Sequence, residues 1–131
     1  DAKNGTVTVS KLLKKTVKTV TIPATVTIDG YTFKVTAVAN NVFKNASRLK
    51  SVVIGANVKS IGKSSFYKCK KLATITFKGI KASGVGKNAF KSGKSKVTVK
   101  VPKKMKKSQL NKLKKALKKA GVKKASYKKT K

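Results

Sequence analysis

Lysine is nearly the only side chain here that can do chemistry. Thirty-four lysines and Arg48 stand against two acids, Asp1 and Asp29, leaving a net charge of +33 on 131 residues. Ammonium groups at that density repel one another and recruit polyanions. Histidine and glutamate are absent, so the chain lacks a general base near neutrality, a triad member and a carboxylate cage for a hard metal. No enzyme activity and no metal or cofactor is expected. The scarcity of arginine carries its own meaning. A guanidinium fork grips guanine edges and phosphates in a bidentate way, whereas an ammonium is a hydrated point charge, so attraction to charge is expected rather than readout of base sequence. The plainer role for the same lysines is to solvate an outer face.

Cys69 stands alone, which rules out an intrachain disulfide, and no CxxC or Cys/His spacing suggests zinc. Its position explains it better than reactivity does. It follows Phe66 by three residues, and the same slot holds Ala46 after Phe43 and Gly93 after Phe90. Such a slot wants a small side chain in a tight corner.

The elements that place these groups repeat. Val38, Phe43, Leu49, Val52 and Ile54 recur as Ile61, Phe66, Leu72, Ile75 and Phe77, each pair 23 residues apart. A period between about 20 and 29 residues marks a leucine-rich-repeat solenoid, whose coils bury their apolar faces only by stacking. Two apolar groups fall in each coil. Val52/Ile54, Ile75/Phe77 and Val97/Val99 read as short strands, and Val38/Phe43 and Ile61/Phe66 as a looser opposite wall. Val85, Ala89 and Phe90 continue the pattern one residue late. Ser92-Gly93-Lys94-Ser95 then replaces the leucine segment, and the distance from Phe90 to Val97 is two residues short, so the third coil reads as truncated.

Ahead of the coils, Thr16 to Ile22 alternates and stops at Pro23, with Val20 and Ile22 facing inward. Asp29-Gly30 then sits between two alternating runs, a strong hairpin signal because the turn needs positive φ at both central positions. That pairing sets Ile28 beside Tyr31 and Val26 beside Phe33, in a hairpin that protrudes or caps.

Ile61-Gly62, Phe66, Cys69, Leu72, Ile75 and Phe77, with Val20-x-Ile22-Pro23 and Val99-x-Val101-Pro102 as strand-plus-proline echoes, resemble the BspA-like, or Treponema-type, leucine-rich repeats of bacterial surface proteins. The resemblance covers roughly residues 17–102. Val42 and Ser65 depart from it, standing where a small alanine usually precedes the phenylalanine. It implies a curved right-handed solenoid on an exported or wall-associated protein used for adhesion or host contact, with no catalytic or ligand residues to carry over. The expected fold is thus a short right-handed leucine-rich-repeat solenoid, poor in α/β units, with parallel strands at about 23 residues per coil. A strand and the Asp-Gly hairpin cap occupy residues 1–36, the coils 37–102, and a lysine-rich amphipathic helix with its tail 103–131.

In that helix Ser108 can cap, Leu110, Leu113, Leu117, Ala116 and Ala120 form a narrow stripe, and Gly121 ends it. A basic amphipathic helix could lie on an anionic membrane, but three leucines make a thin anchor, and covering the last coil is the favoured role. The residues after it either add a final strand or stay disordered. No apolar run approaches the roughly 18 residues of a membrane-crossing helix.

Two surfaces are candidates for contact. Lys103, Lys104, Lys106, Lys107, Lys114, Lys115, Lys118 and Lys119 are candidate polyanion-binding residues. Strand parity turns Ser51, Val53, Thr74, Thr76, Lys78, Thr98 and Lys100 to the outside as a candidate concave contact face. That face carries no aromatic platform for sugars or bases. The leading expectation is a secreted or cell-surface repeat module that adheres to wall polymer, acidic glycan or extracellular nucleic acid, or that self-associates into filaments through its ends or the hairpin. The alternative is an intracellular basic protein that compacts nucleic acid. Asp1 is not an initiator methionine, so the chain reads as processed or excised, and a signal peptide upstream of it would separate the two.

Overall fold

A computed structural model describes residues 6–9, 18–79, 84–91 and 96–130, the side chains of 6–9 excepted. Thr16, Val17 and the segment 92–95, including the Gly93 slot, lie outside the described residues. The strands in chain order are β1 (Thr6–Val9), β2 (Thr19–Ile22), β3 (Thr25–Ile28), β4 (Tyr31–Val38), β5 (Ser51–Ile54), β6 (Ser60–Ile61), β7 (Thr74–Phe77), β8 (Gly84–Val85) and β9 (Lys96–Val101), followed by helix α1 (Lys107–Lys119) and β10 (Lys124–Lys129).

Alternation decides which residues meet. In β5 and β7 every second side chain is buried, Val52 and Ile54 in one, Ile75 and Phe77 in the other, and a strand with one apolar face must lay it on a second wall. Two parallel walls result. One runs β2, β5, β7, β9, β10, and the other β1, β4, β6, β8, with β3 antiparallel to β4. Ser51 lies beside Thr74 and Val52 beside Ile75, a step of 23 residues, so each coil sets like upon like. The core between the walls joins Val35, Val38 and Ile61 to Leu49, Leu72, Ile75 and Val99.

The third coil corrects the sequence reading. Val99 lies beside Ile75 and Thr98 beside Thr74, so Val99 and Val101, not Val97 and Val99, take the places of Ile75 and Phe77. Nine residues separate each phenylalanine from its strand partner in all three coils, and the coil is not truncated. Its one additional residue falls instead between Phe77 and Val85. Val97 is buried as well, one pleat further back along the strand.

Corners between the walls are tight. Asn41, Ser64 and Asn88 share one positive-φ position, and Asn45 and Lys68 another, a backbone region in which asparagine is enriched. Phe43, Phe66 and Phe90 stack there with centroids 4.9 Å apart and planes within 10°, close to the spacing of hydrogen-bonded strands. The backbone runs in step with the rings. Phe43 N–H donates to Ser65 O at 2.8 Å, Phe66 N–H to Ala89 O at 2.7 Å, and Phe90 N–H to Ala120 O at 3.0 Å. Ser65, one of the two departures from the family pattern, is fully buried. Its hydroxyl lies 2.6 Å from Gly62 O and 2.9 Å from Ala39 O, sharing one proton between two coils.

Cys69 is fully buried, and its thiol donates to Phe43 O at 3.1 Å. Burial pushes this thiol up to about 11, opposed by a backbone hydrogen bond at Ala46. The thiolate, which is the reactive form, is therefore scarce at neutral pH. A maleimide reagent at pH 7.5 is expected to leave Cys69 unlabelled until denaturant is added, and rapid native labelling would show the corner open. The sign of the pH effect follows from the raised value. Folding favours the protonated thiol, so its contribution is complete below about 9 and is lost as pH rises towards 11. Cys69→Ala, which folds like the Ala46 corner, should lose less stability than the parent between those values.

Asp29 and Gly30 carry φ of 51° and 83°, and β3 pairs with β4 so that Ile28 faces Tyr31 and Val26 faces Phe33. Helix α1 begins two residues earlier than a Ser108 cap requires. Lys106 is the N-cap, its backbone N–H donating to Gln109 Oε1 at 2.9 Å, and Ser108 sits inside the first turn. The glutamine reaches back across one turn, which is half of a capping box. Gly121 follows the helix at φ 106°, and the tail forms β10, parallel to β9.

Candidate functional site

The apolar stripe of α1 determines where its lysines go. Leu113, Leu117 and Ala120 are buried, which fixes the rotation of the helix. Lys112, Lys115 and Lys119, spaced three and four residues apart, share one flank. That flank faces the ends of β6 and β8 across a groove of about 700 Å³, whose other wall carries Asn40, Lys63 and Gly84. Asn40 is held in place, its Oδ1 accepting from Lys63 N–H at 2.7 Å. Ala116, Ile61 and Val85 supply apolar floor.

Among the described residues, four ammonium groups therefore border one depression. Asp29 is the only acid among the described residues and sits exposed at the hairpin turn, so none of their carboxylates offsets these charges in the groove. Like charges on one helix stripe cost a few tenths of a kcal/mol per pair. An anion drawn between the walls removes that cost.

The eight expected polyanion-binding lysines do not form one patch. Lys115 and Lys119 face the groove. Lys103 and Lys104 border a second, smaller depression of about 320 Å³ with Lys78, Pro102 and Thr130. Lys114 reaches over the Tyr127 ring, 5.0 Å from its centroid. Burial raises the phenol pKa of Tyr127. Lys106 and Lys107 stand at the start of α1, where its dipole opposes positive charge, and Lys118 at the end, where it favours it. Lys63 and Lys112, outside the expected set, complete the main groove. The spacing of Lys112 with Lys115 and Lys119 was visible on a helical wheel; Lys63 arrives only through the fold.

The outward strand residues do line up. Ser51, Thr74 and Thr98 form one row and Val53, Thr76 and Lys100 the next. Ser51 Oγ donates to Thr19 Oγ1 at 3.2 Å, extending the first row to β2. No group of three or more metal-ligating side chains occurs among the described residues, and none of their helices is long and apolar enough to cross a membrane.

Parallel walls, one stacked phenylalanine per corner and a buried leucine in each of the first two coils define a leucine-rich-repeat protein. Residues 36–120 match the family described as the BspA type leucine rich repeat region (6 copies). This is well over half of the chain, and the chain belongs to that family. Its structure is similar to the crystal structure of a leucine rich cell surface protein from Faecalibacterium prausnitzii, with a TM-score of 0.60 at 21% identity. The match covers 95% of this chain and 39% of that one, so the chain spans about two fifths of the length of its neighbour. No curated protein matches.

Proposed function

We propose that this chain is a non-enzymatic module of a cell-surface or secreted protein, which adheres to polyanionic material through its lysine-covered exterior. The observation that carries the reading is the charge: 35 basic side chains against two acids, a net charge of +33 that internal carboxylates cannot offset. Membership of the BspA-type family and the cell-surface designation of the Faecalibacterium protein support the surface location. Within this reading the coils wind right-handed, residues 1–36 cap the first coil and α1 covers the last. The bond from Phe90 N–H to Ala120 O supports the last of these.

Binding titrations against duplex DNA, heparin and a teichoic-acid-like polymer, run across a range of salt, test the proposal. All three should bind, with log affinity falling linearly against log salt as counterions are released. Replacing Lys114, Lys115, Lys118 and Lys119 together by glutamine should flatten the slope on duplex DNA by up to about 3.6 and leave the thermal melt in place. Tight, salt-insensitive binding to one polymer with none to the others would overturn it.

Self-association is a second reading favoured by one feature. Ile28 and Tyr31, 50% and 71% exposed, form an apolar pair beside the hairpin turn. At one edge of its sheet, β10 instead presents Lys124, Lys128 and Lys129, which discourages strand-to-strand addition there. In this reading the junction is the hairpin pair. Tyr31→Ser should abolish any mass above the monomer in light scattering, and an oligomer unaffected by it would exclude that junction.

A further inference from the structure

Charge spread evenly over a surface gives attraction without preference. The groove between α1 and the β6–β8 wall is not of that kind. Its four lysines converge on one depression from two rigid elements, and the helix that carries three of them is fixed by buried Leu113 and Leu117.

We infer that this groove is a discrete site for a single extended polyanion whose phosphates lie on a polyol or sugar backbone without bases. The inference rests on the polyanion reading above and gives it a location and a ligand class. From Lys112 to Lys119 is seven residues, about 10 Å along the helix axis, enough for two or three successive phosphates of an extended chain. Lys63 closes the opposite side. A groove of about 700 Å³ admits one chain and is far too small for a duplex. Among the described residues neither an aromatic ring nor an arginine lines it, so a base entering it finds no stacking surface and no fork there. Ile61, Val85 and Ala116 suit the CH and CH₂ groups of a polyol.

Gly84 allows the groove to be blocked without disturbing the coils. It is exposed, its φ is not positive, and a Cβ built there would come no nearer than 3.5 Å to Ser60 Cβ. Gly84→Glu therefore places a carboxylate in the groove at little structural cost. Lys115→Gln with Lys119→Gln removes two of the cations, and Lys103→Gln with Lys104→Gln removes the same charge from the other depression.

Calorimetric titration with a glycerol phosphate hexamer and with hexathymidylate, on the parent and these three variants at one low salt concentration, decides the matter. The parent should bind one glycerol phosphate hexamer per chain, at least tenfold tighter than hexathymidylate. Gly84→Glu and the Lys115/Lys119 pair should each lose at least tenfold, the Lys103/Lys104 pair no more than about twofold, and all four proteins should melt alike. Equal losses in both lysine pairs, with Gly84→Glu unchanged, would overturn the groove while leaving diffuse polyanion binding intact. Equal affinity for hexathymidylate would overturn the base-free ligand. Failure of even long heparin or duplex DNA to bind the parent would remove the polyanion reading and the groove together.

Discussion

Phe66→Ala should lower the melting temperature by about 10 to 20 °C, more than any single lysine replacement. Phe66 is fully buried and lies between two rings, 4.9 Å from Phe43 on one side and 4.9 Å from Phe90 on the other. Truncating a buried phenylalanine costs about 3 to 5 kcal/mol through lost transfer energy and the cavity left behind. Here the cavity opens in the middle of a column and strips one face from each neighbouring ring, so the upper end of that range applies. Against a total stability of roughly 5 to 15 kcal/mol this is a large fraction. Lys70→Ala, at an exposed corner position, should stay within about 0.5 kcal/mol. Phe66→Leu keeps most of the volume and should fall between the two. A Phe66→Ala melt that coincides with the parent would mean the rings do not hold the coils together.

The second large effect separates two glycines on one wall. Gly62 and Gly86 follow β6 and β8 at the same place in successive coils, where the backbones approach more closely than a side chain allows. A Cβ at Gly62 would stand 2.5 Å from Asn40 N and 2.6 Å from Ala39 C, and one at Gly86 would stand 2.5 Å from Lys63 N. These are main-chain atoms, and both coils are pinned at this point. Gly62 N–H donates to Val38 O at 2.7 Å and Lys63 N–H to Asn40 Oδ1 at 2.7 Å. No rotamer change can relieve the clash. Gly62→Ala should therefore cost at the top of the roughly 1 to 3 kcal/mol range for overpacking, or beyond it. Gly84→Ala, two residues from Gly86, makes only ordinary van der Waals contact, no nearer than 3.5 Å to Ser60 Cβ, and should be neutral or gain about 0.4 to 1 kcal/mol by restricting the unfolded chain. Paired denaturant titrations would show it as midpoints moving in opposite directions. If the two substitutions proved equal, the close approach of the coils would be refuted.

The repeat was legible because its signal is redundant. Phe43 and Phe66, Leu49 and Leu72, and Val52 and Ile75 all agree on one offset, and any two would have established it. The Asp29-Gly30 turn was legible because few residue pairs tolerate positive φ in succession. The register of the third coil was not, for a definite reason. Val97-Thr98-Val99-Lys100-Val101 looks the same after a shift of two, and such a shift keeps every side chain on its own face, so alternation alone could not choose between Val97 and Val99 as the partner of Ile75. Spacing from Phe90 held the answer, had nine residues been required in every coil. The start of α1 was misplaced because serine is a strong cap in general, whereas Gln109 reaching back to Lys106 is a weaker pattern that only geometry discloses. The groove was half visible. Lys115 and Lys119 were singled out for their charge, but their convergence with Lys63 depends on how α1 docks, which no local pattern encodes.

The carbonyl of Ala120 accepts from Phe90 N–H where Ala89 O and Ser65 O accept from Phe66 and Phe43 in the coils before it. To its neighbour, the end of the helix is indistinguishable from another coil. The last coil thus meets the helix through the same bond by which one coil meets the next, and the number of coils ahead of that junction is a free variable. Duplicating one 23-residue unit would lengthen the body by a single strand spacing, roughly 4.8 Å, and leave the hairpin, the helix and every junction chemically unchanged. Such a chain grows by copying, as a ruler gains divisions, and its reach can be reset without inventing a new contact.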